Sequence, residues 1–326
     1  MPRIGMSGFV ILGALWAPFV PACAQQAGDW PNRPIELIVL NAPGGASDVF
    51  GRALAHAAQG VFSQPIVVIN QPGGGGATQM AAVRSAAPDG YTIGVNTLSH
   101  FTSMQSNLAG VFSPDDFSWI ALLQEDAYLV YVSTESDYDS FADVIAAHAG
   151  GDEVTVGGFG PIGSTANIAA HVVMEAAGIE QNWVSFDSSS ATVANVLGGH
   201  VEIAVGNPGA VAEFVEAGRI RVLGVLAAER SPALPEVPTF AELGLDANPD
   251  WTQIRGIFGP AGIPMEIQQA IAEGLFEAVQ EAEFQTYQRR SGIRGLHLGP
   301  AEYAEYASEA TEAARGGLQA VGIAPR

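Results

Sequence analysis

Residues 35–52 read IELIVLNAPGGASDVFGR, and the fold class turns on that stretch. Six residues form an apolar run of high β-propensity. The next carry a proline and two glycines, and the last open a helical pattern that continues through ALAHAAQGVF. A strand that ends in glycines and feeds a helix is the first half of a βαβ unit. It leaves backbone N–H groups without partners, and the positive end of a helix dipole, at one sheet edge. Such an edge suits an anion.

The same alternation extends outward. PIVVIN, ATQMAAVRSAA and YTIGVN follow, up to residue 96. A second series begins after the acids near Glu125 with AYLVYVS, then EVTVGGFG, STANIAAHVVMEAAGI, NWVSFD, VEIAVGN and RVLGVLA. This predicts a second α/β lobe. The proline-dense ERSPALPEVPTFAEL is expected to be an extended surface connection back towards the first lobe. Two amphipathic stretches, MEIQQAIAEGLFEAVQ and PAEYAEYASEATEAARGGLQAV, are expected to be packing helices. The division expected is residues 25–124 for the first segment of lobe 1, 125–247 for lobe 2, and 248–326 for the return to lobe 1 and the C-terminal helices.

Residues 1–24 are set apart. Arg3 is their single charge, FVILGALWAPFV is apolar, and Ala22-Cys23-Ala24 supplies small residues for cleavage. A bilayer span needs about 20 apolar residues, so a cleaved secretory signal is expected. Acylation of Cys23 is the rival reading, but Val20 and Pro21 do not fit a lipoprotein box.

Composition then removes whole classes of chemistry. Among 326 residues there is one cysteine, and all 13 basic residues are arginine. Without lysine there can be no Walker A phosphate clamp, Schiff base or pyridoxal phosphate anchor. With Cys23 removed there is no disulfide and no thiolate chemistry. A formal charge of −21 opposes nucleic acid and anionic membranes as partners. An anionic ligand has to be held by local dipoles.

Four strand-end loops offer such dipoles: Pro43–Asp48, Pro72–Thr78, Val95–His100 and Gly157–Thr165. The last contains a literal G-x-G-x-x-G at Gly158, Gly160 and Gly163, with acids further on at Glu180 and Asp187, as in a dinucleotide fingerprint. Pro161 interrupts its turn, and the motif sits mid-chain. No G-x-S-x-G occurs, and the 6 histidines form no H-x-x-x-H pair. No catalytic residue, metal site or cofactor is expected. His100 is the histidine expected near a ligand.

WPNRPIELIVLNAPGGASD, QPIVVINQPGGGGA and AAPDGYTIGVNT resemble the opening of the Bug or TctC family, the extracytoplasmic receptors of tripartite tricarboxylate transporters. VLGGHVE, EAGRIRVLGV, ERSPALPEVPTFAELG and FGPAGIP extend the resemblance, in order, from about Trp30 to the C-terminus. It implies a two-lobed α/β periplasmic binding protein, type II-like. Each lobe would be a mainly parallel sheet flanked by helices, with crossing strands as the hinge. It implies a monomer in the periplasm that binds a small carboxylate, without catalysis, and delivers it to membrane permease subunits.

The ligand-binding residues so implied are Pro43, Gly44, Gly45, Ala46, Ser47 and Asp48 in the first loop and Gly75, Gly76 and Ala77 in the second. Asn96, Thr97, Ser99 and His100 follow in the third, with Gly163, Ser164, Thr165 and Ser189 in lobe 2. Ser164 and Thr165 could equally cap a helix. The chain departs from the family at Asp187-Ser188-Ser189, where Lys-Gly-Ser is typical. The ligand is therefore expected to be smaller, singly charged or differently oriented than citrate. Arg255 stands in the Trp-Arg-Gly position of the family, as Ile254-Arg255-Gly256, and is expected to be structural. Two alternatives stay open: a secreted α/β enzyme or nucleotide binder using the Gly158–Gly163 loop, and a carboxylate sensor for a histidine kinase.

Overall fold

The computed structural model describes residues 30–231 and 233–325. The expected signal peptide and Cys23 lie outside the described residues. β1 (Ile35–Val39), α1 (Ala46–Ala57), β2 (Ile66–Asn70), α2 (Ala77–Arg84) and β3 (Thr92–Asn96) follow the alternation read from the sequence, and α3 (Leu98–Met104) continues it beyond the segments read there. β1 pairs in parallel with both β2 and β3. Phe50 and Leu54 of α1 are fully buried against this sheet, each contributing roughly 1.5–3 kcal/mol by leaving water.

β4 (Phe117–Asp126) and β10 (Gln253–Pro260) join the same sheet antiparallel, as does the edge strand β11 (Arg294–Leu298). The first sheet has the order β11-β4-β10-β3-β1-β2. α8 (Met265–Ala278) and α9 (Ala282–Arg290) cover one face together with α1, around Ile267, Leu275 and Phe284. The other face carries α2, α3 and α10 (Pro300–Ala320), with Met80, Phe101 and Tyr303 in the core.

The second sheet takes β5 (Tyr128–Ser133), β6 (Val154–Phe159), β7 (Gln181–Phe186), β8 (Ile203–Gly206) and β9 (Ile220–Leu226), in the order β7-β6-β8-β5-β9. Helices α4 (Phe141–Ala149), α5 (Thr165–Ala176), α6 (Ser189–Leu197) and α7 (Pro208–Glu216) connect them. β6 is parallel to β7 and β8, whereas β5 is antiparallel to β8 and β9. The strands of the βαβ units are thus parallel, as the alternation implies. β10 and β5, by which the chain enters each sheet from the other, run against them, and each sheet is mixed.

That passage happens twice. β4 ends at Asp126 and β5 starts at Tyr128, so a single residue, Ala127, separates one sheet from the other. The return runs from β9 through residues 227–252 to β10. Part of this link docks on the second sheet before it leaves. The Phe240 N–H donates to the Val225 carbonyl at 3.1 Å, and the Phe240 ring meets Phe141 edge-on at 5.0 Å.

One apolar cluster is shared by the lobes. Leu318 of α10, Trp251 of the link and Ile168 of α5 belong to the same core as Phe101 and Tyr303. A side chain at Gly317 would meet Ile168 at 2.7 Å, which shows how closely α10 lies on α5.

Candidate ligand-binding cleft

The first expected jaw is held from within. Asp48 is 2% exposed, and its carboxylate accepts from the Gly44 N–H and from the Asn70 amide, both at 2.8 Å, and from Arg52 Nε at 3.0 Å. Arg52 and these bonds outweigh the cost of burial and lower the Asp48 pKa to about 2. The Ser47 N–H donates to Asn41 Oδ1 at 3.0 Å. Asp48 thus supplies the negative charge that the start of α1 favours. Ser47 and Asp48 serve the scaffold, because both are buried and bonded to their own chain. Pro43, Gly44 and Ala46 stay exposed at the tip, with Gly45 half-buried behind them.

In the second loop Gly73, Gly74, Gly75 and Gly76 all have positive φ, between 58° and 131°. Only glycine takes such a run without strain. Gly75 is exposed and Ala77 half-buried, but Gly76 is buried, facing the His100 ring.

His100 is 1% exposed and belongs to an internal chain of hydrogen bonds. The Gln79 amide donates to the Ile38 and Val95 carbonyls at 2.7 and 2.9 Å, tying β1 to β3. Gln79 Oε1 then lies 2.7 Å from His100 Nε2, and the Thr97 N–H donates to His100 Nδ1 at 3.0 Å. That pattern requires a neutral ring protonated at Nε2. Burial lowers its pKa to about 4, against a partial rise from Thr97 and with a further push from the Arg255 charge. Asn96 is likewise sealed and accepts from the Tyr303 hydroxyl at 2.8 Å. Asn96, Thr97 and His100, expected at the ligand, are buried here and shape the turn that presents Ser99.

In lobe 2 the two roles left open for Ser164 and Thr165 separate. Ser164 caps α5: its Oγ accepts from the Asn167 N–H at 3.2 Å and donates to the Phe159 carbonyl at 3.2 Å. Gly163 is held by its N–H to Asn167 Oδ1 at 2.9 Å. Thr165, the first residue of α5, is 8% exposed.

The literal G-x-G-x-x-G is filled by its own chain. A side chain at Gly158 would collide with the Trp183 indole, and Trp183 Nε1 donates to the Gly160 carbonyl at 3.2 Å. A dinucleotide turn needs backbone free for a pyrophosphate. Here an indole covers it.

Between the sheets lies a cavity of about 60 Å³. Lobe 1 contributes Ser99 and Gln253, and lobe 2 contributes Thr165, Ala166 and Ser189 at the starts of α5 and α6. The walls are Tyr128 and Tyr131 from β5 and Phe159 at the end of β6. Asn207, the N-cap of α7, completes the lobe 2 side with Thr192.

Of the sequence-derived site residues, Ser99, Thr165 and Ser189 meet here; those of the 43–48 and 75–77 loops, with Gly163 and Ser164, do not line it. Sequence reasoning missed Tyr128, Tyr131, Phe159, Thr192, Asn207 and Gln253. Asn207 was findable, since GNP ends an apolar run and starts a helix as the other loops do. Gln253 carried no signal.

A charged group sits beneath this floor. Arg255 is 8% exposed, donates to the Ile254 carbonyl at 2.7 Å and makes no ion pair among the described residues. Asp126, 9% exposed, has one oxygen without a partner. Desolvation raises its pKa to about 6, with Arg255 acting against the rise and Glu125 adding to it. Glu125 itself pairs with Arg294. Among the described residues no cluster of three potential metal ligands occurs.

With this geometry in hand, the comparisons with known proteins are specific. Residues 50–322 match the family TctC, the tripartite tricarboxylate transporter family receptor. The chain is 28% identical to BugT of Bordetella pertussis over 276 residues, covering 83% of each protein. It is similar to a crystallised TctC solute-binding protein from Polaromonas, with 27% identity, a TM-score of 0.77, and coverage of 89% of this chain and 99% of that one. Rpa4515 of R. palustris, solved with adipate, is 24% identical with a TM-score of 0.77 over 91% of this chain and all of its own (100%).

Proposed function

The chain belongs to the tripartite tricarboxylate transporter receptor family, and from that premise we propose that it captures a small organic carboxylate between its lobes in the periplasm and hands it to permease subunits. Membership makes it a solute-binding receptor, not an enzyme.

The observation that carries the carboxylate reading is the interlobe cavity, where side chains of both lobes meet the starts of three lobe 2 helices. Backbone N–H groups there are free for an acceptor, and the dipoles favour a negative group. A carboxylate taken out of water needs several charge-assisted hydrogen bonds. Ser99, Gln253, Thr165 and Ser189 are the side chains we assign to it. The exposed turn of Pro43, Gly44 and Ala46, with Gly75 opposite, forms the outer contact that lobe closure would bring towards the ligand. Adipate in Rpa4515 is consistent with a carboxylate as the class of solute. The chain is expected to act as a monomer, with the lobes as its division of labour: 25–124 and 248–326 on one side, 125–247 on the other.

Closure follows from differential affinity. A ligand that touches both lobes stabilises the state in which they are close. The test is titration calorimetry with a panel of mono-, di- and tricarboxylates, beside a thermal-shift series. At a ligand concentration of 100 Kd, binding to the native state alone adds about 2.7 kcal/mol of stability. Saturable heat with at least one acid, and a raised melting temperature for the same acid, is the expected outcome. If no acid gives saturable heat, the carboxylate reading is wrong.

A further inference from the structure

We propose that the solute carries one carboxylate joined to a flat apolar body, such as an aromatic ring, with the carboxylate inside the cavity and the body against Phe159. This rests on the receptor reading above and narrows it.

The donor inventory comes first. Several polar side chains of the lining are already committed to their own chain. Thr192 Oγ1 donates to the Ser188 carbonyl at 3.1 Å, and the Asn207 amide donates to the Ala127 carbonyl at 3.1 Å. Gln253 Oε1 accepts from the Leu98 N–H at 3.2 Å. What remains are the hydroxyls of Ser99, Thr165, Ser189 and Tyr131 and the amide N–H₂ of Gln253. A carboxylate offers roughly four acceptor sites on two oxygens. Together with the free backbone N–H groups at the helix starts, these donors seat one such group inside a cavity of this size.

Charge points the same way. No arginine lines the cavity, and the chain has no lysine. Arg52 is spent on Asp48. Arg255 lies close enough for its charge to act on Tyr128 in the wall, and it acts on Asp126 as well. A solute with two or three carboxylates would enter a chain of formal charge −21 with no side-chain cation at the cavity wall to receive the extra charges.

The apolar side is equally definite. Phe159 is a large hydrophobe left 53% exposed, and it stands on the cavity wall beside Tyr131 and Val205. Its neighbour in the same loop, Ile162, is 58% exposed. The volume of about 60 Å³ takes only about four to six water-sized groups, at roughly 10–15 Å³ each. A carboxylate and its first carbon fill that space, and the rest of the solute must extend to the rim. A ring placed there covers Phe159, and both faces leave water.

The experiment is calorimetry on the whole chain with acetate, benzoate, phenylacetate, succinate and citrate, repeated on Phe159→Ala. Because Phe159 is half exposed, its truncation leaves the core intact, and an unchanged melting temperature without ligand verifies this. Benzoate or phenylacetate is expected to bind at least tenfold more tightly than succinate or citrate. Phe159→Ala should weaken the aryl acids about tenfold and leave acetate unchanged, since ring–ring contact plus lost burial is on the order of that factor. Tighter binding of succinate or citrate than of either aryl acid overturns the proposal while preserving the receptor reading. So does a loss in Phe159→Ala that is equal for succinate and phenylacetate. Silence across the whole panel removes both.

Discussion

Two buried groups, His100 in the first turn of α3 and Asp126 at the end of β4, set opposite pH dependences. His100 is held neutral by burial, with a pKa lowered to about 4, so the unfolded chain binds its proton first as pH falls. Stability present above pH 6.5 is therefore lost between 6.5 and 4, by about 3 kcal/mol at 1.36 kcal/mol per unit. Asp126 has its pKa raised to about 6, again by burial. For it the folded chain binds the proton first, and stability falls as pH rises from about 4 to about 6, by about 3 kcal/mol. Between these limits the two contributions largely cancel in the native protein. Asp126→Asn removes one of them. In urea denaturation at pH 6.5 and pH 4.5, the variant should lose about 2 kcal/mol more on acidification than the native chain does. Parallel losses would show that Asp126 titrates normally. The sequence marked His100 as special but could not tell ligand contact from scaffold, because that depends on Gln79, 21 residues away, reaching its ring.

At the scale of elements, the glycine loop before α2 shows what a local pattern can state by itself. Four consecutive residues with positive φ demand glycine, and the run GGGG announces it. Gly76→Ala places a side chain at φ 98° and 3.4 Å from the His100 ring. The cost should be about 1–2 kcal/mol, read from the urea midpoint. Gly316→Ala in α10 is the contrast, since its added methyl meets nothing within 4 Å and the helix gains about 1 kcal/mol. A destabilised Gly316→Ala would mean that α10 is not a continuous helix there. Strands β4 and β11 are among the elements the alternation did not announce. FSWIALLQED is buried on both faces and shows no period of two, and RGLHL is a short, largely exposed edge strand whose pairing partner lies far away in sequence. Only their hydrogen-bonded neighbours identify them.

For the whole molecule, the hinge is more constrained than two crossing strands suggest. Ala127 alone separates β4 from β5, yet Leu318, Trp251 and Ile168 form an apolar seam that ties α10 to α5 on the side of the link. Closure about such a seam means small sliding of packed helices more than free rotation. Small-angle scattering with and without a saturating acid is expected to show a small decrease in the radius of gyration. An unchanged radius with ligand bound by calorimetry would take closure out of the mechanism. The same scale explains the net charge. At −21 the surface repels anions at long range, and the solute is held by short-range donors that the field does not cancel.

The sequence by itself determined the α/β alternation, the two series of strands, the glycine turns at the strand ends and the exclusion of lysine- and thiol-based chemistry. Each of these is local: it depends on side-chain period, on φ that only glycine adopts, or on residues that are simply missing. The ordered run of segments also carried the family. The tertiary structure decided which loops reach the cavity. PGGASD and the GGGG turn have the composition of an anion cradle, but Asp48 and the His100–Gln79 chain occupy much of their interior. Gln253 and Tyr131, which no motif marks, and Phe159, inside a glycine motif read for its backbone alone, line the cavity instead. A donor is available to a ligand only if no distant part of the chain has already taken it, and that is a property of the packed molecule.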